Sequence, residues 1–166
     1  TETTGLDTLT AELVGVCICV APGEACYVPL RHKEPGAGQD VQDVGGLFGE
    51  VVEALLVAGQ VDSARVLADV KALLLDEGIR KLGHNLKYDW LVLAKALGVL
   101  DGDAVALQGL MVNYEDTMLL SACVAGGRWT HGLDGLVERH VGHTMIKYEE
   151  VAGKGKAAVT FDKVGL

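Results

Sequence analysis

Residues 81–97, KLGHNLKYDWLVLAKAL, decide how this chain is read. Residues 79–83 have the pattern of a short buried strand, Asn85 has the side chain of an N-cap, and Trp90, Leu91, Ala94 and Leu97 recur at helical spacing. Asp89 then falls in the first turn of a helix. The positive end of the helix dipole favours a carboxylate there and keeps it ionised even when partly covered. Helical rotation puts Asp89 on the side of Leu86 and Leu93, off the main apolar stripe and toward the edge of a cleft. Taken alone, the segment describes an ordinary first-turn acid.

Upstream, Glu2 precedes a turn at Gly5. Residues 13–20 form a continuous apolar strand, APGE at 21–24 a turn, and 25–30 the returning strand of an antiparallel hairpin. A first strand bearing an acid, a hairpin, and a later acid at a strand-to-helix junction form an arrangement suited to holding divalent metal. Residues 31–43, with Pro35, Gly36 and Gly38, read as a surface loop. Residues 47–58 have a helical composition broken by Gly49 and ending at Gly59. Residues 63–76 form a firmer helix with Val66, Val70, Leu73 and Leu74 on one face and Asp62 or Ser63 as cap.

Downstream, residues 110–114 read as a second buried strand and Asp116 as the cap of a helix running to about residue 124. Gly126 and Gly127 break the chain, Thr130 caps a helix to about residue 141, residues 145–151 are extended or irregular, and Thr160 opens a further helix. Hairpin strands followed by strand-helix units define the α/β class, a mixed sheet with helices on its faces. Neither a repeat nor a linker divides the chain.

The 166 residues are 49% hydrophobic with three prolines, enough for one domain with a sizeable core. They contain no signal region and no apolar run of membrane length, so a cytoplasmic location is expected and a membrane partner is not. The chain opens on Thr1 rather than Met, so a fragment or an excised domain is expected. Cys17, Cys19, Cys26 and Cys123 lack a disulfide or CxxC spacing and read as small buried hydrophobes in a reducing compartment. Cys123, His131, His140 and His143 fit no closed zinc site.

The net charge of −9 is uneven along the chain. Residues 1–80 carry five basic against thirteen acidic side chains, and residues 81–166 carry nine against ten. Arg128, Arg139, Lys147, Lys154, Lys156 and Lys163 give the last part a local phosphate-contacting potential without an overall basic field. The GKGK loop at 153–156 lacks the full P-loop pattern.

TETTGLD at 1–7, GHNLKYDW at 83–90, DTML at 116–119 and YEEVAGKGK at 148–156 resemble, in order and across nearly the whole chain, the proofreading 3′-5′ exonuclease domain of bacterial DNA polymerase I. That resemblance implies the ribonuclease H-like fold, with a central mixed sheet flanked by helices. It also implies four metal-holding acids. Glu2 matches the glutamate of the family's first motif and Asp89 the aspartate of its second. The paired first-strand Asp is expected just before Thr1, and a Tyr-x-x-x-Asp motif beyond Leu166. The chain is therefore expected to be an exonuclease domain, residues 1–166, truncated at both ends.

By the same resemblance, Leu6 and Tyr148 match positions packed against terminal bases, Thr3 and Asn85 hydrogen-bonding positions, and Arg128 a phosphate-reaching base. His84 stands where the family commonly has glutamine. Core packing is the competing reading for Leu6 and Tyr148. The implied cofactors are two divalent ions, magnesium or manganese with zinc as a further candidate, held by hard carboxylate oxygens. The implied partners are a single-stranded DNA 3′ end and a polymerase domain C-terminal in the same chain. Two other readings stand beside this one. The first is an inert structural or single-strand-binding domain of a polymerase. The second is a related exoribonuclease, differing only in contacts around the sugar 2′ position.

Overall fold

The computed structural model describes residues 1–34, 56–100 and 104–165. In it β1 (Glu2–Thr3) pairs antiparallel with β2 (Leu13–Ala21), which pairs antiparallel with β3 (Glu24–Pro29). The hairpin read from the sequence is present to within a residue at each boundary. After α1 (Ser63–Leu75), capped by the Asp62 carboxylate on the Arg65 N–H at 2.8 Å, comes β4 (Lys81–Gly83) and then α2 (Leu86–Ala96). A short α3 (Ala104–Gln108) leads to β5 (Tyr114–Asp116), which lies parallel to β4. The chain closes with α4 (Thr117–Ala125), α5 (Leu133–Val141), α6 (Tyr148–Ala152) and 3-10 turns at Gly155–Ala157 and Phe161–Lys163. The architecture is mixed α/β, with an antiparallel group of strands and a parallel pair joined through helices.

One core holds these pieces together. Leu13, Val16 and Leu30 of the hairpin meet Val70 and Leu74 of α1, Leu86, Val92, Leu93 and Ala94 of α2, and Leu110 and Met111. The stripe that α2 buries differs from the one its spacing predicts. Leu86, Val92, Leu93 and Ala94 face inward, while Trp90 sits at the margin, donating its indole N–H to the Leu107 carbonyl at 2.9 Å. Asp89 stands on the side of Leu86 and Leu93, as its spacing predicts, and so beside the stripe that is buried.

Several other expectations are corrected. The strand after α1 starts at Lys81 and is not buried, because Leu82 points outward. Leu110 and Met111 are core residues, but the strand they precede spans Tyr114–Asp116. Helix α5 begins at Leu133 with Gly132 at its N-cap, not at Thr130. Residues 148–152 are helical, opened by Glu150 accepting the Lys147 N–H at 3.3 Å. The turn after Thr160 is 3-10. All four cysteines are free and exposed, Cys17 and Cys19 because the outer part of β2 runs past the core after Val16. The helix expected at 47–58 and the loop at 31–43 lie largely outside the described residues. No helix among the described residues is long and apolar enough to cross a membrane.

Gly15 is set by close approach. It pairs with Glu2 on one side and Pro29 on the other, and a Cβ there would overlap the Tyr27 ring. Gly15→Ala is expected to cost roughly 1–3 kcal/mol, the usual range for overpacking, read as a lowered thermal midpoint. An unchanged midpoint would show that the ring yields freely.

Candidate active site

The site is assembled where α2 grips the start of the chain. Lys95 reaches from the last turn of α2 to the carbonyls of Leu9 and Ala11 at 2.9 and 3.0 Å. One helical turn before Trp90's inner neighbours, the Tyr88 hydroxyl donates to the Gly5 carbonyl at 2.5 Å and bonds Thr3 Oγ1 at 2.6 Å. Thr3 Oγ1 also reaches the Gly5 carbonyl at 2.8 Å. These contacts fix β1 and the Gly5 turn against α2. Next to Tyr88, Asp89 Oδ1 accepts from Thr1 Oγ1 at 2.7 Å and from the Thr1 nitrogen at 2.8 Å. That nitrogen is a donor whether it is an ammonium or a peptide N–H.

Glu2 lies between these two residues in sequence, and Asp89 and Glu2 feel each other. Burial pushes the Glu2 carboxyl above its ordinary value, and the Asp89 charge pushes it up further. Cys17, on the neighbouring strand, is also raised, first by burial and then by the charge of Glu2, with a smaller part from Asp89. The part-buried carboxylates of Glu2 and Asp89 are hard-oxygen donors of the kind a divalent cation takes. The pair fits such a cation as part of a ligand set. Among the described residues no group of three or more histidine, cysteine or acidic side chains is arranged to hold a metal by itself.

A second group of contacts shapes the turn before α2. Asn85 occupies the N-cap position in the left-handed conformation, φ 62° and ψ 44°, and its side chain makes no cap bond. The expectation that Asn85 caps this helix is thus corrected. Asp116 does the capping from β5, its Oδ1 accepting the Asn85 N–H at 3.0 Å and its Oδ2 the Leu86 N–H at 2.8 Å. The same Oδ1 accepts the Met118 N–H at 2.9 Å and so caps α4 as expected. Freed from capping, the Asn85 side chain accepts from Lys87 Nζ. Beside it, the Thr117 hydroxyl donates to the Gly83 carbonyl at 3.0 Å and must therefore accept from His84 Nδ1, also at 3.0 Å.

The other singled-out residues are at the surface. Leu6 is 93% exposed, so its reading as core is excluded. Tyr148 is 53% exposed and is not a core residue either. Arg128 is exposed, and among the described residues its guanidinium makes no ion pair. The structure thus brings Glu2, Thr3, Asp89 and, one turn away, Asn85 onto the α2 N-terminus. Among the described residues no hydrogen bond or ion pair joins the side chains of Leu6, Arg128 or Tyr148 to them. Tyr88 is the residue that sequence reasoning passed over. Its signal was its place immediately before Asp89, where a side chain on the same helix turn can reach the strand carrying Glu2.

Comparison with known proteins shows the family of the chain. The 3′-5′ exonuclease family model matches residues 1–165. DNA polymerase I of Rhizobium leguminosarum is 39% identical over 175 residues, covering 100% of this chain and 15% of that protein. DNA polymerase I of Pseudomonas aeruginosa is 37% identical over 166 residues, with 100% and 15% covered. That of Chloroflexus aurantiacus is 29% identical, with 99% and 14% covered. The chain belongs to the 3′-5′ exonuclease family, as a domain of the DNA polymerase I type. It spans about 15% of the length of the first two relatives.

Proposed function

We propose that this domain removes nucleotides from the 3′ end of single-stranded DNA by metal-dependent phosphodiester hydrolysis, proofreading for a polymerase domain C-terminal in the same protein. The observation that carries the reading is the pair of Thr1 bonds that bring the start of β1, with Glu2, onto Asp89 of α2, in the register of the family's first two motifs. These carboxylates would hold divalent magnesium or manganese. Bound there, such ions supply a water nucleophile at neutral pH and charge for the leaving 3′ oxygen. The two remaining acids of the set are proposed to lie just before Thr1 and in a Tyr-x-x-x-Asp motif after Leu166.

The chain's own residues hold and orient the strand. Leu6, wholly outward at the Gly5 turn, offers an apolar wedge to the terminal base, and Tyr148 a stacking face. Thr3 and Asn85 present hydrogen-bonding groups beside the acids, and Arg128 a free guanidinium for phosphate. The Tyr88–Gly5–Thr3 bonds keep Glu2 and Leu6 in fixed relation to Asp89.

The intact protein, given a 5′-labelled single-stranded DNA oligonucleotide and magnesium, is expected to shorten it one nucleotide at a time, and chelator to stop this. A protein that binds the strand but never shortens it would make the domain an inert binder. Preference for an RNA oligonucleotide would make it an exoribonuclease.

A further inference from the structure

Tyr148 opens α6 with its ring stacked on Phe161, centroids 6.4 Å apart and planes at 29°. Its hydroxyl donates to the Val159 carbonyl at 3.3 Å, and the rest of the ring is open to solvent. Phe161 is itself held. It meets Tyr27 edge-on at 6.3 Å and His32 at 5.7 Å, and these two rings meet each other at 5.7 Å.

The inner end of this row is rigid. His32 is 1% exposed, and its Nδ1 lies 3.0 Å from the Val164 carbonyl, which only accepts, so Nδ1 carries the proton. Its Nε2 then accepts from the Tyr27 hydroxyl at 2.6 Å. Burial, followed by the charges of Glu2 and Cys17, pushes that hydroxyl up to about 12, so the donor keeps its proton at any working pH. The 3-10 turn carrying Phe161 is anchored twice by one residue. Lys33 donates its backbone N–H to the Asp162 carbonyl at 2.7 Å and its ammonium to Asp162 Oδ2 at 2.7 Å, and Asp162 is 2% exposed. The anchored turn lies against β1, the strand of Glu2.

An exposed tyrosine on a five-residue helix would otherwise need to be ordered at the moment a base stacks on it, and that ordering weakens binding. Here one face is already occupied by a fixed ring. We propose that Phe161 is a positioning residue that presents Tyr148 to the terminal base of a single strand, with the Lys33–Asp162 pair fastening its turn to the segment after β3 while the turn lies against β1. The inference rests on the reading of Tyr148 as a stacking position.

The test is a double-mutant cycle in the intact protein, reading KM and kcat for removal of the 3′ nucleotide from a single-stranded oligonucleotide. Tyr148→Ala is expected to raise KM roughly tenfold, as loss of one stacked base does. Phe161→Leu should raise KM by about half that factor on a logarithmic scale with kcat within twofold, about threefold in KM. In the Tyr148→Ala background Phe161→Leu should then add nothing, and with Tyr148 in place Phe161→Tyr, which keeps the ring, should hold KM at the wild-type value. If Phe161→Leu does not fold, Phe161→Met fills the space without a ring and completes the same cycle. Factors that multiply in the double variant would overturn the proposal while leaving the stacking role of Tyr148 standing. An unchanged KM in Tyr148→Ala would overturn both.

Discussion

Asp89→Asn is expected to lower nucleolytic turnover of the intact protein by orders of magnitude while leaving the metal-free fold nearly as stable as before. Asparagine keeps an oxygen where Asp89 Oδ1 accepts from Thr1, so the local bonds survive. It removes the charge that helps to hold the Glu2 carboxyl above its ordinary value. The folded protein binds the Glu2 proton more tightly than the unfolded chain does. Stability from this group is therefore full below its ordinary value of 4.5 and is lost as pH rises through the raised folded value. In the variant that loss should shrink. Stabilisation by added magnesium should shrink too, because a ligand confined to the folded state stabilises in proportion to its affinity. A first-turn acid with no metal role behaves otherwise, costing about 0.3–1 kcal/mol through the helix dipole with activity intact. Melting both proteins in chelator and in magnesium between pH 4 and 7 separates the two, and intact activity in the variant would remove Asp89 from the metal site.

What the sequence carried well were features with local causes. The hairpin follows from an apolar run, a Pro-Gly turn and a second run, and α1 from an Asp62 cap with apolar residues at helical spacing. Asp89 falls in the first turn of its helix as read. What failed depended on partners far along the chain. Asn85 has the chemistry of an N-cap, but a carboxylate thirty-one residues later takes the N–H groups that a cap would serve. That bond exists only because β4 and β5 lie parallel and end together, with Gly83 opposite Asp116. The cysteines show the same limit. Alternation along β2 places Cys17 and Cys19 on one face, but not how far the hairpin projects beyond the core. Tyr88 was hidden because a tyrosine between Lys87 and Asp89 looks like helix surface until the Gly5 turn is folded onto it.

Asp116 is where the second large effect is expected, although it is none of the acids proposed to hold metal. Burial alone would push its carboxyl up, but backbone N–H groups of Asn85, Leu86, Met118 and Leu119 outweigh it and bring the carboxyl below its ordinary value. It joins the starts of two helices, α2 and α4, through a single side chain. Asp116→Ala strands three part-buried donors at once. With charged hydrogen bonds worth roughly 1.5–3 kcal/mol each and water reaching some of the freed groups, a loss of about 3 kcal/mol is expected. For a chain of this size that is a fall of roughly 6–12 °C in thermal midpoint. The pH dependence has the opposite sense to that of Glu2. Because the folded-state value is depressed, the Asp116 contribution is present above its ordinary 3.8 and is lost as pH falls through the lower folded value. The acid-side loss of stability should therefore be smaller in the variant. Function should suffer separately, because the left-handed backbone of Asn85 has lost its anchor beside Asp89. At a temperature where the variant is still folded, KM for a single-stranded oligonucleotide should rise, and Asp116→Asn, which keeps one acceptor oxygen, should fall between the two. A midpoint within a degree of wild type would mean that water replaces Asp116 at both helix starts, and the turn carrying Asn85 would then be set by Gly83 and Thr117 alone.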